Sequence, residues 1–186
     1  KSIQELRKMA LDEKDNLLLG RLVPAYLQMN QPNDALAVCD QMQAIQPRDA
    51  RSFLLRAEAY KQQNKPDQVI QALYKAIDLQ PGDFDTYLAL ARAQDAFNRP
   101  IAAMEVLDRL EKASASGRPL ALYERGSLFA SWGLRPQAAE SLEKLSQQDV
   151  SANPQLQFAI GRKLAQIGRK DNARAMLGKI PEYNQL

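Results

Sequence analysis

The sequence contains no histidine and only one cysteine, Cys39, among its 186 residues. Without histidine it has no imidazole base, no histidine-based catalytic triad and no histidine-bearing transition-metal site. A single cysteine closes no disulfide within the chain and makes no zinc site by itself. The eight glycines are dispersed and form neither phosphate-binding loop, GxGxxG or GxxxxGKS/T. We therefore expect no catalytic activity, no cofactor and no bound metal.

The sequence also lacks a strong excess of charge and a long apolar run. Its 25 Lys and Arg residues outnumber its 22 Asp and Glu residues by three, which is too small an excess to indicate nucleic-acid binding. No stretch approaches the roughly 18 apolar residues that span a bilayer, so we expect no membrane insertion by this segment. Because the chain begins at Lys1 and not at Met, we expect a processed form or a piece of a longer protein.

An internal repeat of 34 or 35 residues is the dominant feature of the sequence. Each copy contains a small residue, a large residue four positions later and an apolar residue three positions after that. This spacing indicates one face of an α-helix. The pattern starts at Ala35, Val69, Ala103, Ala138 and Ala173. A second helical pattern precedes each of these and ends in Tyr26, Tyr60, Gln94, Phe129 and Leu164.

Turn signals separate the two helical patterns at the same place in every copy. Asn or Gly, which tolerate the left-handed conformation that ends a helix, stand at Asn30, Asn64, Asn98, Gly133 and Gly168. Proline, which is tolerated in the first turn of a helix, follows two or three residues later, at Pro32, Pro66, Pro100 and Pro136. The sequence thus predicts two antiparallel helices in each repeat.

These motifs resemble the tetratricopeptide repeat family, whose unit is a 34-residue helix–turn–helix. The closing Gln46-Pro47 and Gln80-Pro81 match it well, whereas the third repeat has Ala115 in place of the closing proline. The resemblance implies an all-α, right-handed superhelical solenoid of antiparallel helix pairs. We expect repeats at 16–49, 50–83, 84–117, 119–152 and 154–186, with residues 1–15 as the second helix of a preceding partial repeat.

The resemblance also implies that the first helices line a concave groove and that the fifth residue of each repeat points into it. In the last four repeats this residue is apolar or aromatic: Leu54, Leu88, Tyr123 and Phe158. We call these four residues the apolar ladder. Charged residues at the ninth and twelfth positions flank it: Glu58, Lys61, Arg92, Asp95 and Arg162. We expect the groove to bind the apolar face of a helix or an extended apolar peptide. The alternative is that the ladder residues pack on neighbouring repeats.

One subclass of the family grips the carboxylate tail of chaperones with a Lys at the fifth position and an Asn at the ninth. Here those positions hold Gly20 with Pro24 and Leu54 with Glu58, so the sequence does not favour that clamp.

The expected function is a non-catalytic protein-interaction scaffold, as a segment of a larger bacterial assembly, secretion or envelope-biogenesis protein. The Gln-rich, Cys-poor, His-free composition favours the bacterial periplasm or envelope over the cytoplasm. An RNA-binding pentatricopeptide-like array is one alternative, which the 35-residue steps and the pI near 9.0 favour and the apolar groove positions oppose. Self-association through open ends at residues 2–13 and Tyr183 is another.

Overall fold

The computed structural model of the chain describes residues 2–148, 150 and 153–180. Over these residues the chain forms eleven α-helices and no β-strand, which confirms the predicted all-α class. In the described residues no helix is long and apolar enough to cross a membrane. The predicted open end at Tyr183 and the last residues of the fourth and fifth predicted repeats lie outside this part of the chain. The helices are α1 (Ile3–Asp12), α2 (Asn16–Gln28), α3 (Pro32–Ile45), α4 (Ala50–Gln62), α5 (Pro66–Leu79), α6 (Phe84–Ala96), α7 (Pro100–Ala113), α8 (Arg118–Ser131), α9 (Arg135–Ser146), α10 (Pro154–Gln166) and α11 (Lys170–Leu177).

The chain divides into two compact units, which we call the N-terminal unit (Lys1–Arg99) and the C-terminal unit (Pro100–Leu186). Within each unit, every helix packs against the helix that follows it in sequence, from α1 to α6 and from α7 to α11. In the N-terminal unit α2 also packs against α4, so that first helices of successive repeats are neighbours. Neighbour-to-neighbour packing of this kind is how helical repeats share a core.

The turns inside the repeats adopt the predicted left-handed conformation. Backbone φ is between 53° and 58° at the three asparagines and is 76° and 88° at Gly133 and Gly168. The amide of the following residue donates to the carbonyl five residues earlier, at 2.8–3.0 Å in each of the five turns. Proline is the first residue of α3, α5 and α7 and the second residue of α9. These turns end one helix and start the next as the sequence predicts.

In two repeats a glycine of the first helix lies in close contact with the second helix. A Cβ built on Gly126 of α8 would lie 2.7 Å from Cγ of Leu142 and 3.4 Å from the carbonyl oxygen of Ala138 on α9. A Cβ on Gly161 of α10 would lie 2.6 Å from Cγ of Leu177 on α11. The two distances to leucine Cγ, 2.7 Å and 2.6 Å, are shorter than van der Waals contact. Glycine therefore allows each pair to pack at this separation with a leucine between its helices.

The N-terminal unit fills the same crossing with other side chains. Val23 and Ala57 occupy the place of Gly126, and Cys39 and Leu73 occupy the place of Leu142. All four are buried, and Val23 and Cys39 belong to one buried cluster. When the repeats are compared at this crossing, Val23 is the largest residue on a first helix, and it is paired with Cys39, the smallest residue on a second helix. This volume match explains why a cysteine stands where the other repeats have leucine.

Arginine replaces a core residue at two of the contacts between successive repeats. Arg56 of α4 and Arg125 of α8 stand where Leu22, Leu90 and Ile160 stand in the other repeats. Arg56 donates to Asp40 at 2.6 Å and to Gln43 at 2.8 Å, both on the preceding helix α3. Arg125 pairs with Glu111 of α7 at 2.9 Å and with Asp108. These side chains are only 19% and 17% exposed, so their ion pairs hold the helices together from partly buried positions.

The volume match predicts a compensating pair of substitutions. Cys39→Leu should overfill the crossing and lower the free energy of unfolding by about 1–3 kcal/mol. Adding Val23→Ala should recover part of this loss, so that the double variant is more stable than the sum of the single changes predicts. Urea unfolding of the four proteins gives the coupling energy. Strictly additive effects would show that Val23 and Cys39 do not share one space.

Burial also governs the chemistry of Cys39. Removal from water raises the pKa of its thiol to about 12, and the nearby charge of Arg56 opposes this rise only in part. The thiolate is the reactive form, so the native thiol should react with a disulfide reagent at pH 8 far more slowly than the unfolded chain does. Above the unfolded-state pKa of about 8.5 the unfolded chain loses its proton first, so stability should fall as pH rises. In Cys39→Ala the free energy of unfolding should fall less steeply with rising pH, and urea unfolding at several pH values measures this difference. Equal reaction rates in the native and urea-unfolded protein would contradict the burial.

Candidate functional site

The apolar ladder is divided between the two compact units. In the N-terminal unit Leu54 of α4 is partly buried, and Leu88 of α6 is only 8% exposed. In the C-terminal unit Tyr123 of α8 is partly buried and packs against the core, whereas Phe158 of α10 is 45% exposed. The four residues thus differ widely in the surface that they offer to a partner. Phe158 offers the largest exposed fraction and Leu88 the smallest.

The charged residues predicted to flank the ladder lie on the same first helices. Glu58 and Lys61 are exposed on α4, Arg92 is exposed on α6, and Arg162 is exposed on α10. Asp95 of α6 is partly buried. Charges of both signs therefore lie on α4 and α6, and Arg162 adds a positive charge on the helix that carries Phe158.

The first repeat has Gly20 where the other repeats have a ladder residue, and an arginine of the second repeat covers this glycine. A Cβ on Gly20 of α2 would lie 3.0 Å from Cζ of Arg51 and 3.2 Å from Cε of Met42. The guanidinium of Arg51, which comes from α4, therefore rests directly on the backbone of α2. Leu17, one turn earlier on α2, is exposed. At this end of the N-terminal unit the guanidinium of Arg51 and the side chain of Leu17 stand in place of a fifth ladder residue.

An aromatic pocket of about 350 Å³ opens between α4 and α5. Phe53, Tyr60 and Tyr74 supply its aromatic walls, and the stacked guanidinium of Arg56 lies 5.8 Å from the centre of the Phe53 ring. Nε of Arg56 is buried and has no hydrogen-bond partner. The pocket has the size and lining to accept one apolar side chain beside a hydrogen-bond acceptor.

A second pocket of about 360 Å³ lies in the C-terminal unit and was not predicted from the sequence. It is lined by Ser127, Ala130, Ser131, Arg135, Lys163, Gln166 and Ile167. Two of these side chains, Arg135 and Lys163, are cationic, and none is a carboxylate. Three helices contribute to it, which hides it from a search for local motifs. The feature of the sequence that could have indicated this pocket is local positive charge, because residues 154–180 contain six Lys and Arg and one Asp. Among the described residues, no group of His, Cys, Asp and Glu is arranged to hold a metal ion.

Residues 60–124 match the family model described as tetratricopeptide repeat. No curated protein sequence matches the chain. Among solved structures, it is similar to YrrB, described as a TPR protein with an unusual peptide-binding site, at 16% identity and a TM-score of 0.56, over 100% of this chain and 93% of that one.

Two further solved structures have the same fold. PilW, described as a widely conserved type IV pilus biogenesis factor, is 17% identical with a TM-score of 0.57, over 92% of this chain and 78% of its own. MamA from Desulfovibrio magneticus RS-1 is 15% identical with a TM-score of 0.54, over 91% of this chain and 95% of its own. At these identities the likeness establishes the fold alone. With the repeat motif matched at residues 60–124 and the solenoid fold matched along the chain, the chain has the fold of a tetratricopeptide repeat solenoid.

Proposed function

We propose that the chain is a non-catalytic scaffold that binds a protein or peptide along the first helices of its repeats. The fold supports a protein-interaction role in general. The observation that supports the finer proposal is the exposure of Phe158, a large aromatic side chain that is 45% open to solvent and stands at a predicted groove position. Exposed aromatic side chains in a binding surface supply much of the contact energy, because their burial removes a large apolar area from water.

The solvent exposures of the four ladder residues indicate that these residues contribute unequally to the binding energy. Fully burying an exposed phenylalanine contributes about 1.5–3 kcal/mol. Leu88, at 8% exposed, has almost no surface left to bury, so its main role is in packing. Leu54 and Tyr123 lie between these extremes. We therefore assign the principal contact to Phe158, with Tyr123 and Leu54 as lesser contacts and the charges of Glu58, Lys61, Arg92, Asp95 and Arg162 around them.

We further propose that the chain is a segment of a larger bacterial assembly, secretion or envelope-biogenesis protein. PilW, a pilus biogenesis factor, shares the fold, and YrrB is described as having a peptide-binding site. The contacts of the first helix, α1, are those of the second helix of a repeat. Nε of Arg7 on α1 donates to Gln41 on α3 at 2.9 Å, and these residues stand 34 positions apart. That separation is one repeat, as expected if α1 is the second helix of a partial repeat.

The proposal predicts that Phe158→Glu weakens binding without unfolding the chain. A partner captured by the wild-type chain from a lysate of the source organism should be held at least about tenfold more weakly by the variant, since an apolar contact is replaced by a charge. The matched control is Ile101→Glu, because Ile101 is 76% exposed but lies on α7, a second helix. Circular dichroism establishes that both variants stay folded. A partner retained by Phe158→Glu and lost by Ile101→Glu would move the site away from the ladder.

A further inference from the structure

The pocket in the C-terminal unit has the composition of an anion site. We call it the anion pocket and define it by its five polar lining residues: Ser127 and Ser131 on α8, Arg135 at the start of α9, and Lys163 and Gln166 on α10. Ala130 and Ile167 complete the lining, and the volume of about 360 Å³ exceeds that of a single carboxylate group. Hydroxyl, amide, ammonium and guanidinium groups all donate hydrogen bonds, so four of the five polar residues are able to donate to an anion. The exception is Ser131, whose hydroxyl donates to the backbone carbonyl of Leu128.

The two cations of the anion pocket are not neutralised within the part of the chain that the structure describes. Neither Arg135 nor Lys163 forms an ion pair with a carboxylate there. The carboxylates of the adjacent helix α9 have other partners: Glu140 pairs with Lys144 at 2.8 Å, and Glu143 pairs with Arg169 at 3.5 Å. The positive charge of the pocket is therefore available to a ligand.

Ser127 has a donor that the fold leaves unused. The hydroxyls of Ser131, Ser141 and Ser146 each donate to a backbone carbonyl three or four residues earlier, at 2.7–3.0 Å. This is the usual bond of a helical serine. The hydroxyl of Ser127 is buried and has no partner. A buried hydroxyl without a partner is costly, and an acceptor brought into the pocket by a ligand would remove that cost.

The distribution of charge along the chain favours a local anionic contact. Residues 1–99 contain 13 Lys and Arg and 13 Asp and Glu, whereas residues 100–186 contain 12 and 9, so the whole net charge of +3 lies in the second group. Within it, residues 154–180 contain six basic residues and one acidic residue. A protein that follows a nucleic-acid backbone needs positive charge along its whole binding surface. Here the charge is concentrated in one helix pair, α10 and α11.

We propose that the anion pocket binds the carboxylate of an Asp or Glu side chain in a peptide partner. The carboxylate lies between Arg135 and Lys163 and accepts hydrogen bonds from the hydroxyl of Ser127 and the amide of Gln166. This inference rests on the proposed function and adds a chemical class to its ligand: an apolar segment that carries acidic residues. The site differs from the chaperone-tail clamp considered above, because it uses no Lys at the fifth position and no Asn at the ninth.

A labelled hexaglutamate peptide tests the proposal, with hexaglutamine as the neutral control and an oligouridylate of equal charge as the nucleic-acid control. Fluorescence anisotropy at low salt should show binding of hexaglutamate alone. The double variant Arg135→Gln/Lys163→Gln should weaken it about tenfold, since charge-assisted hydrogen bonds are lost. Lys170→Gln/Arg174→Gln removes the same charge from α11, outside the pocket, and should weaken binding about twofold or less. Ser127→Ala should weaken it a few-fold with no change of charge.

Amide chemical shifts locate the contact independently of affinity. Hexaglutamate should shift the resonances of Ser127, Lys163 and Gln166 and leave those of α11 unchanged. No binding, equal losses in the two double variants or shifts spread over α11 would overturn the pocket. Equal binding of oligouridylate through the same residues would replace the acidic peptide with a nucleic acid. The Phe158→Glu comparison separates the two proposals, because a partner lost by that variant and kept by Arg135→Gln/Lys163→Gln leaves the scaffold function standing without the anion pocket.

Discussion

The close approach of the two helices within a repeat determines how the repeats pack on one another. Where Gly126 and Gly161 meet leucines, an added Cβ would lie 2.6–2.7 Å from a leucine Cγ. Their packing therefore tolerates little change of volume on either side. This contact sets the spacing of each pair, the spacing sets how one pair stacks on the next, and the stacking decides which face of each first helix remains open.

Contacts between successive pairs are less uniform than contacts within them. Apolar residues occupy the contact position in three repeats, and arginines that reach acidic residues on the preceding helix occupy it in the other two. Exposed ion pairs contribute little to stability, but a buried guanidinium without its partner is costly. An arginine at this position therefore disfavours stacking on any helix that lacks the matching carboxylate.

The fold was predictable from the sequence because its determinants are local and repeated. A left-handed Asn or Gly, a proline at the start of a helix and an apolar face each act within a few residues, and five copies reinforce one another. The surface was less predictable. The burial of Leu88 depends on its neighbours in space, Arg51 covers Gly20 from 31 positions away, and the anion pocket combines three helices. The sequence assigned the ladder positions, but only the packed structure distinguishes an exposed Phe158 from a buried Leu88.

The two proposed contacts lie on one helix, and their spacing constrains the partner. Phe158 and Lys163 are five residues apart on α10, which corresponds to about 7.5 Å along the helix axis. At 3.6 residues per turn, five residues also rotate the helix by about 500°, so the two side chains leave α10 about 140° apart. One straight extended segment therefore does not reach both side chains, because neighbours on one helix face are three or four residues apart. A partner that uses both contacts is expected to bend around α10, with its apolar residue and its acidic residue on separate segments.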